Sequence, residues 1–229
     1  MHIPFINKKP DPPEFYKEYA RKFSETTSPT LEDTRFVVFD TETTGVNARK
    51  DRMLSLGALE IRNNEIKIAN SLEVYIEQEL FKEEAVAIHG ILRQNKNQVK
   101  ITEEEAVKQF LLFAGNSVLV GHHVGFDIAI INYALKRLGA PKLKNKFTDT
   151  SVLFKRSVHL VNITNPDKVY SLDELCEALN ISKNDRHKAM GDALITALAF
   201  LKILTRLKSS IRQSILRYKL LQMQFKRGK

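Results

Sequence analysis

The stretch Arg35-Phe36-Val37-Val38-Phe39-Asp40-Thr41-Glu42-Thr43-Thr44-Gly45 decides how the rest of this 229-residue chain is read. Val and Phe fill its first half, as in a buried strand, and turn-forming Thr and Gly close it. Strand side chains alternate between faces, so Asp40 and Glu42 project to one side about 7 Å apart, and Thr41 points the other way. Two like charges at the edge of a core repel and are costly to desolvate, so the pair needs a cation or a proton between them. The plain alternative is a solvated Asp-x-Glu at a strand end, a triplet that ordinary composition yields about once in a chain of this length. Context favours the metal reading. Gly45 offers a tight turn where backbone N–H groups can approach a ligand, and an amphipathic second strand, Met53 to Ile61, follows.

Outward from that strand, the Asn63-Asn64 turn joins the second strand to a third ending at Ile76, so the sheet is read as mixed. Thr102 and Glu105 make a capping box for a helix to about Phe113, with Ala106, Phe110 and Phe113 inward. A buried strand, Ser117 to Val120, then leads through Gly121-His122-His123-Val124-Gly125-Phe126 to Asp127 and a helix that turns Ile128, Ile131, Leu135 and Leu138 to the sheet. Asp127 thus sits where a strand gives way to a helix, the neighbourhood in which open α/β sheets bind ligands. Phe147 to Phe154 is read as a short strand, with Asp149 either shaping a site or capping a turn or helix. Ser157 to Lys168 is polar and irregular. Ser171 and Glu174 cap a helix through Leu179, and a long amphipathic helix spans Ala189 to Leu207.

At the N-terminal side, Pro4, Pro10, Pro12 and Pro13 precede Phe15, Tyr19 and Phe23, which share one helical face; Pro29 closes the segment. Packing back on the domain is the ordinary reading of such a stripe, stacking on nucleic acid the sharper one. The expected organisation is an extension over 1–34, a catalytic domain over 35–207 and a basic helix over 208–229.

With 43% apolar residues the chain can bury one substantial core. A single cysteine, Cys176, excludes an intramolecular disulfide and a Cys-based zinc site, and its amphipathic helix marks it as a structural thiol in a reducing compartment. No run approaches the ~18 apolar residues of a membrane span, and Met1 to Lys9 lacks the apolar stretch of a secretory signal. A cytoplasmic protein with no membrane partner is expected. The net charge of +9 favours polyanionic partners. Every charged residue from Lys202 to Lys229 is Lys or Arg, and Ile211, Ile215, Leu216 and Leu220 recur at helical spacing. That segment reads either as support for an anionic substrate or as a helix that docks on the protein itself or on a partner protein.

Arg186-His187-Lys188-Ala189-Met190-Gly191-Asp192-Ala193 completes the pattern. Five residues of spacing leave His187 and Asp192 about 140° apart on an ideal helix, so the histidine belongs on the loop leading in and the aspartate on the helix. A lone histidine beside lysines is ordinarily a surface residue. Together, Asp40, Glu42, Asp127 and Asp192 can form an acidic two-metal site with His187 as base. Phosphodiester hydrolysis builds negative charge that two ions about 4 Å apart stabilise. Hard carboxylate oxygens suit Mg²⁺ or Mn²⁺, and a neutral imidazole can accept the proton of the attacking water.

Asp40-Thr41-Glu42-Thr43-Thr44-Gly45 resembles the first motif of the DnaQ-like (DEDDh) 3′-to-5′ exonucleases. Ile88-His89-Gly90-Ile91 resembles their I-H-G-I segment, and the His-x-Ala-x-x-Asp spacing at His187 resembles their third motif. The resemblance covers roughly Arg35 to Leu204. It implies a ribonuclease H-like α/β fold with a mixed central sheet flanked by helices, and two Mg²⁺ or Mn²⁺ ions. Under it Asp40 bridges both ions, Glu42 and Asp192 complete the first, Asp127 holds the second, and His187 is the general base. Thr41, Thr43, Thr44, Gly45, His89, His122, His123 and Phe126 become the substrate-binding candidates. The backbone at Thr43 and Thr44 would meet the 3′ hydroxyl together with Glu42; His122, His123 and Phe126 would line the path of the penultimate unit. His89 would contact a phosphate or cap a backbone group. The chain departs from the commoner His-Asn-Ala-x-Phe-Asp pattern by carrying His123 and Val124, which bears on substrate preference. The implied activity is that of the epsilon-like members associated with bacterial DNA polymerase III, acting on single-stranded DNA. The alternatives are RNA trimming, as in relatives such as ribonuclease T and oligoribonuclease, and a catalytically silent nucleic-acid-binding or polymerase-associated module.

Overall fold

Phe36 to Thr43 forms strand β1, the spine of the sheet in this computed structural model. The structure describes residues 11–24, 30–79, 99–158 and 168–226, with side chains to 209. Pro4, Pro10, Pro29 and the Ile88–Ile91 segment, with the expectation for His89, lie outside the described residues, as does 159–167 of the polar stretch. β1 pairs antiparallel with β2 (Met53–Arg62) and parallel with β5 (Val118–Gly121). β2 turns into β3 (Glu65–Ile76) through Asn63 and Asn64 at φ 55° and 60°, the left-handed pair that a two-residue hairpin favours. β4 (Lys100–Ile101) joins β3 and β6 (Phe147–Asp149) joins β5, both parallel, giving the order β4-β3-β2-β1-β5-β6. The sheet is mixed, as its hairpin and crossovers require.

Helices cover both faces because β1 is apolar on both. Val37 and Phe39 pack under α1 (Glu14–Arg21), α2 (Glu103–Ala114) and α3 (Gly125–Arg137), with the Phe39 and Phe110 rings 5.1 Å apart. Phe36 and Val38 face Ala197 and Phe200 of α6 (Ala189–Lys226), which α4 (Thr150–Val158) and α5 (Leu172–Leu179) buttress. Fully burying each such Phe contributes roughly 1.5–3 kcal/mol. Thr102 caps α2 by accepting from Glu105 N, and Ser171 and Glu174 form a reciprocal capping box on α5. No helix among the described residues is long and apolar enough to cross a membrane.

Several local expectations shift. β2, expected to be amphipathic, is buried from Met53 to Ile61, since helices cover both faces of the sheet. The N-terminal helix packs on the domain, but Tyr16 and Tyr19 are its buried aromatics while Phe15 and Phe23 are half-buried. The tyrosines go inward because their hydroxyls find partners: Tyr16 donates to Lys142 O at 2.6 Å, and Tyr19 donates to Asn145 Oδ1 at 2.5 Å. The strand expected over Phe147 to Phe154 stops at Asp149, and a helix starts at Thr150. Asp149 is the reason, since its Oδ1 accepts from Ser151 N at 2.9 Å and caps the helix. Finally, α6 runs past Leu207 to Lys226 without a break, so the basic segment continues the same helix.

Candidate active site

The face of β1 that carries Phe36 and Val38 also carries Asp40 and Glu42, so the strand's own period aims both carboxylates toward α6. The β1–β2 register shifts between Glu42 and Thr43, an irregularity of the kind that re-aims side chains at functional edges. Directly across from Asp40 in β2 stands Gly57. A Cβ there would overlap the backbone of Ala189 and Met190, so its absence lets the first turn of α6 lie on the strand. Gly191, the next residue of α6 after Met190, admits the preceding turn in the same way, since the Asp185 carbonyl occupies the space of a Cβ there. This close approach carries Asp192 to the strand end. Ligand oxygens of Asp40, Glu42 and Asp192 all lie within 4.8 Å of one another.

Asp127 arrives from the other side. Thr41 points to the α3 face, and both its backbone N–H (3.1 Å) and its hydroxyl (2.6 Å) donate to Asp127 Oδ1. The fourth carboxylate therefore stands outside the close trio, near enough for its charge to act on Asp40.

Burial first, then the charges of Asp127, Asp192 and Glu42, push the Asp40 carboxyl well above the ordinary carboxylate range. Glu42 is pushed up to about 7 by burial and then by Asp192 and Asp127. Asp127 also rises to about 7, because burial outweighs the hydrogen bonds from Thr41. Burial works against the charge on Arg186, but hydrogen bonds to Asp192 and Asp173 outweigh it and hold the guanidinium protonated. Asp192 is buried, its Oδ2 paired with Arg186 Nη1 and approached by His187 N at 3.3 Å. Its Oδ1 is buried with no hydrogen-bond partner among the described residues. Crowded carboxylates with an unpartnered oxygen suit a hard divalent cation, which would relieve both the repulsion and the orphaned acceptor.

His187 lies in the turn just before α6, exposed, with a left-handed φ of 62°. Thr43 is half-buried and donates to Gly45 O at 2.8 Å. Thr44 is fully buried, with its hydroxyl donating to Asp51 Oδ1 at 3.0 Å and accepting from Arg52 N at 3.1 Å. The side chains of Thr41 and Thr44 are thus spent on the framework, and the backbone is what this turn can offer a ligand. Half-buried His122 has Nδ1 3.0 Å from Thr150 Oγ1; burial and then His123 pull it down to about 4, so it is neutral at pH 7. His123 is exposed at φ 54°, its ring 4.2 Å from that of His122, while Phe126 packs partly on the core. Asp149 reaches this turn too, accepting from Val124 N at 2.9 Å. Sequence reasoning missed Arg186, Asp173 and Gly57. The glycine had a signal, since Gly inside an apolar strand marks close backbone approach.

Comparison with known proteins agrees with this architecture. A family model described as an exonuclease (RNase_T) matches residues 37–200. The DNA polymerase III PolC-type protein of Caldanaerobacter subterraneus subsp. tengcongensis is 34% identical over 176 residues, which are 76% of this chain but only 12% of that one. This chain therefore spans a small part of such relatives. DNA polymerase III subunit epsilon of Aquifex aeolicus is 32% identical over 181 residues, covering 77% of this chain and 84% of that one. Among solved structures, E. coli exonuclease I in complex with a dT13 oligonucleotide superposes with a TM-score of 0.67 at 20% identity, over 79% of this chain and 43% of that one. That likeness shows the fold, a ribonuclease H-like exonuclease architecture. With a family model spanning most of its length and an epsilon subunit of comparable extent among its relatives, the chain belongs to the RNase_T exonuclease family, the DnaQ-like group.

Proposed function

We propose that this chain is a divalent-metal-dependent 3′-to-5′ exonuclease that releases nucleoside 5′-monophosphates from the 3′ end of single-stranded DNA. The observation that carries the reading is the trio Asp40, Glu42 and Asp192, gathered within 4.8 Å from strand and helix, with Asp192 Oδ1 left without a partner among the described residues. Asp40, Glu42 and Asp192 would hold one Mg²⁺ or Mn²⁺ ion, and Asp40 with Asp127 a second. When bound, the ions supply Lewis-acid stabilisation of the charge that builds on the phosphate in hydrolysis. The chain's own residues do the rest. His187, exposed on its turn, takes the proton of the attacking water on a ring nitrogen. The backbone from Thr43 to Gly45 receives the terminal nucleotide, and His123 and Phe126 flank the approach.

Single-stranded DNA is favoured over RNA because the solved relative holds a dT13 oligonucleotide and the curated relatives are DNA polymerase III proteins. On the same ground we place the protein with a polymerase partner in the cytoplasm. Position 208 is the proposed limit between the exonuclease domain and a partner-binding helical extension. An end-labelled oligonucleotide assay with matched DNA and RNA strands, with and without chelator, tests the whole reading. Wild type should shorten DNA from the 3′ end only with metal, and Asp40→Ala should lose at least about 10²-fold in rate. Faster RNA shortening would move the assignment to RNA trimming. No nucleotide release with added Mn²⁺ would leave a silent binding module.

A further inference from the structure

We infer that Arg186 is a positioning residue of this site: it fixes the Asp192 carboxylate so that Oδ1 alone is offered to the acidic cluster. The inference rests on the exonuclease reading above. Arg186 immediately precedes His187 and is well covered, its side chain 17% exposed. Its Nη1 pairs with Asp192 Oδ2 while its Nε donates to Asp173 Oδ1 at 2.8 Å. A planar guanidinium has donors in a rigid fork and can hold two carboxylates at a set angle, which a lysine ammonium on a flexible stem does not do.

Asp173 gives that fork a fixed anchor. It lies in the first turn of α5, whose start is set by Ser171 N donating to Glu174 Oε2 at 2.9 Å and Glu174 N donating to Ser171 Oγ at 3.2 Å. A mechanical line therefore runs from a capped helix through Asp173 and Arg186 to Asp192. His187 N approaches the same Oδ2 at 3.3 Å, so one oxygen of Asp192 is drawn to two donors while the other, buried, has none among the described residues. The plane of the carboxylate follows from this division. The turn itself is held shut, with Asp185 and His187 at φ 64° and 62° and the Asp185 carbonyl seated against Gly191. Arg186 thus sets two things together, the free oxygen of Asp192 and the place of the His187 turn.

A merely structural ion pair would shift thermal stability and nothing else. The test compares wild type, Asp173→Asn, Arg186→Lys and a control, Glu177→Gln, which breaks the exposed Lys183–Glu177 pair on the same helix. Mn²⁺ affinity is read by calorimetry without nucleic acid; kcat and KM are read on a DNA oligonucleotide at saturating Mn²⁺. Asp173 is half-exposed and outside the acidic cluster, so Asp173→Asn should fold even if Arg186→Lys does not. Partners that orient metal ligands typically cost 10–100-fold in affinity or activity when altered, so Asp173→Asn and Arg186→Lys should each weaken Mn²⁺ binding by at least about tenfold. Each should also lower kcat by a similar factor with KM within about twofold, as expected for misplacement after binding. Glu177→Gln should match wild type. Folded variants whose Mn²⁺ affinity and kcat stay within about twofold of an active wild type overturn the role of Arg186 alone. A wild type that neither binds Mn²⁺ nor releases nucleotide overturns the exonuclease reading, and this inference with it.

Discussion

Asp192 has two oxygens with different surroundings, one drawn to Arg186 and the His187 amide and one buried without a partner among the described residues. Such asymmetry makes a carboxylate a directed ligand rather than a diffuse charge. His187 is the counterpart at the same scale, fixed through its backbone and exposed through its ring, a combination that lets an imidazole meet a water without losing its place. His187→Ala should therefore lower turnover by about 10²–10⁴-fold while nucleotide affinity is kept, because general-base catalysis acts on the transition state and not on binding. Single-turnover rates with Mn²⁺ and a separate binding titration check this; unaltered turnover removes the base assignment. Nothing in the sequence near His187 distinguished it from a surface histidine until the carboxylates upstream were counted with it.

Two elements build the site by meeting without side chains between them. β2 presents Gly57 opposite Asp40, and α6 lays the backbone of Ala189 and Met190 on it. Gly57→Ala would force the helix off the strand, at a cost of about 1–3 kcal/mol for overpacking, and would carry Asp192 away from Asp40. A lowered Tm together with weaker Mn²⁺ binding is the expected result, whereas a lowered Tm with wild-type Mn²⁺ affinity would show that the glycine matters only for packing. Most of these elements were legible in the sequence, through the alternation in β1, the Asn63-Asn64 turn and the capping pairs at Thr102 and Ser171. Where they were not, a side-chain contact from elsewhere decided: Asp149 capped Ser151 and ended the strand early, and partners in the 142–145 segment drew Tyr16 and Tyr19 inward.

For the whole molecule, the acidic cluster ties folding to pH and, under the proposed function, to metal. Glu42 and Asp127 are each pushed up to about 7 from ordinary values of 4.5 and 3.8. Below those ordinary values both groups are protonated folded and unfolded, and the cluster carries no penalty. As pH rises from those ordinary values to about 7, the unfolded chain ionises groups that the folded protein still holds protonated, so the stability of the metal-free protein falls across that window and levels off above it. Bound Mn²⁺ favours the charged forms and should restore it, with a Tm increment that is small near the ordinary carboxylate values and largest above about pH 7, where the folded groups are ionised. Melting curves with and without Mn²⁺ across that range decide the matter; a flat metal-free profile with no increment at the upper end would count against a coupled carboxylate site.

Local periodicity and capping chemistry were enough to read the strand that carries Asp40 and Glu42, the turn that carries His187, the helix that carries Asp192 and the mixed α/β order of elements from the amino-acid sequence. Packing between distant segments decided that Asp192 joins the strand's two carboxylates while Asp127 approaches from the opposite face through Thr41, and that Arg186 divides the oxygens of Asp192. These depend on how closely a helix can approach a strand and on which side chains meet across distant segments. Spacing along a chain encodes neither, since both are set by contacts between segments brought together by folding, as between Gly57 and Met190 or Thr41 and Asp127.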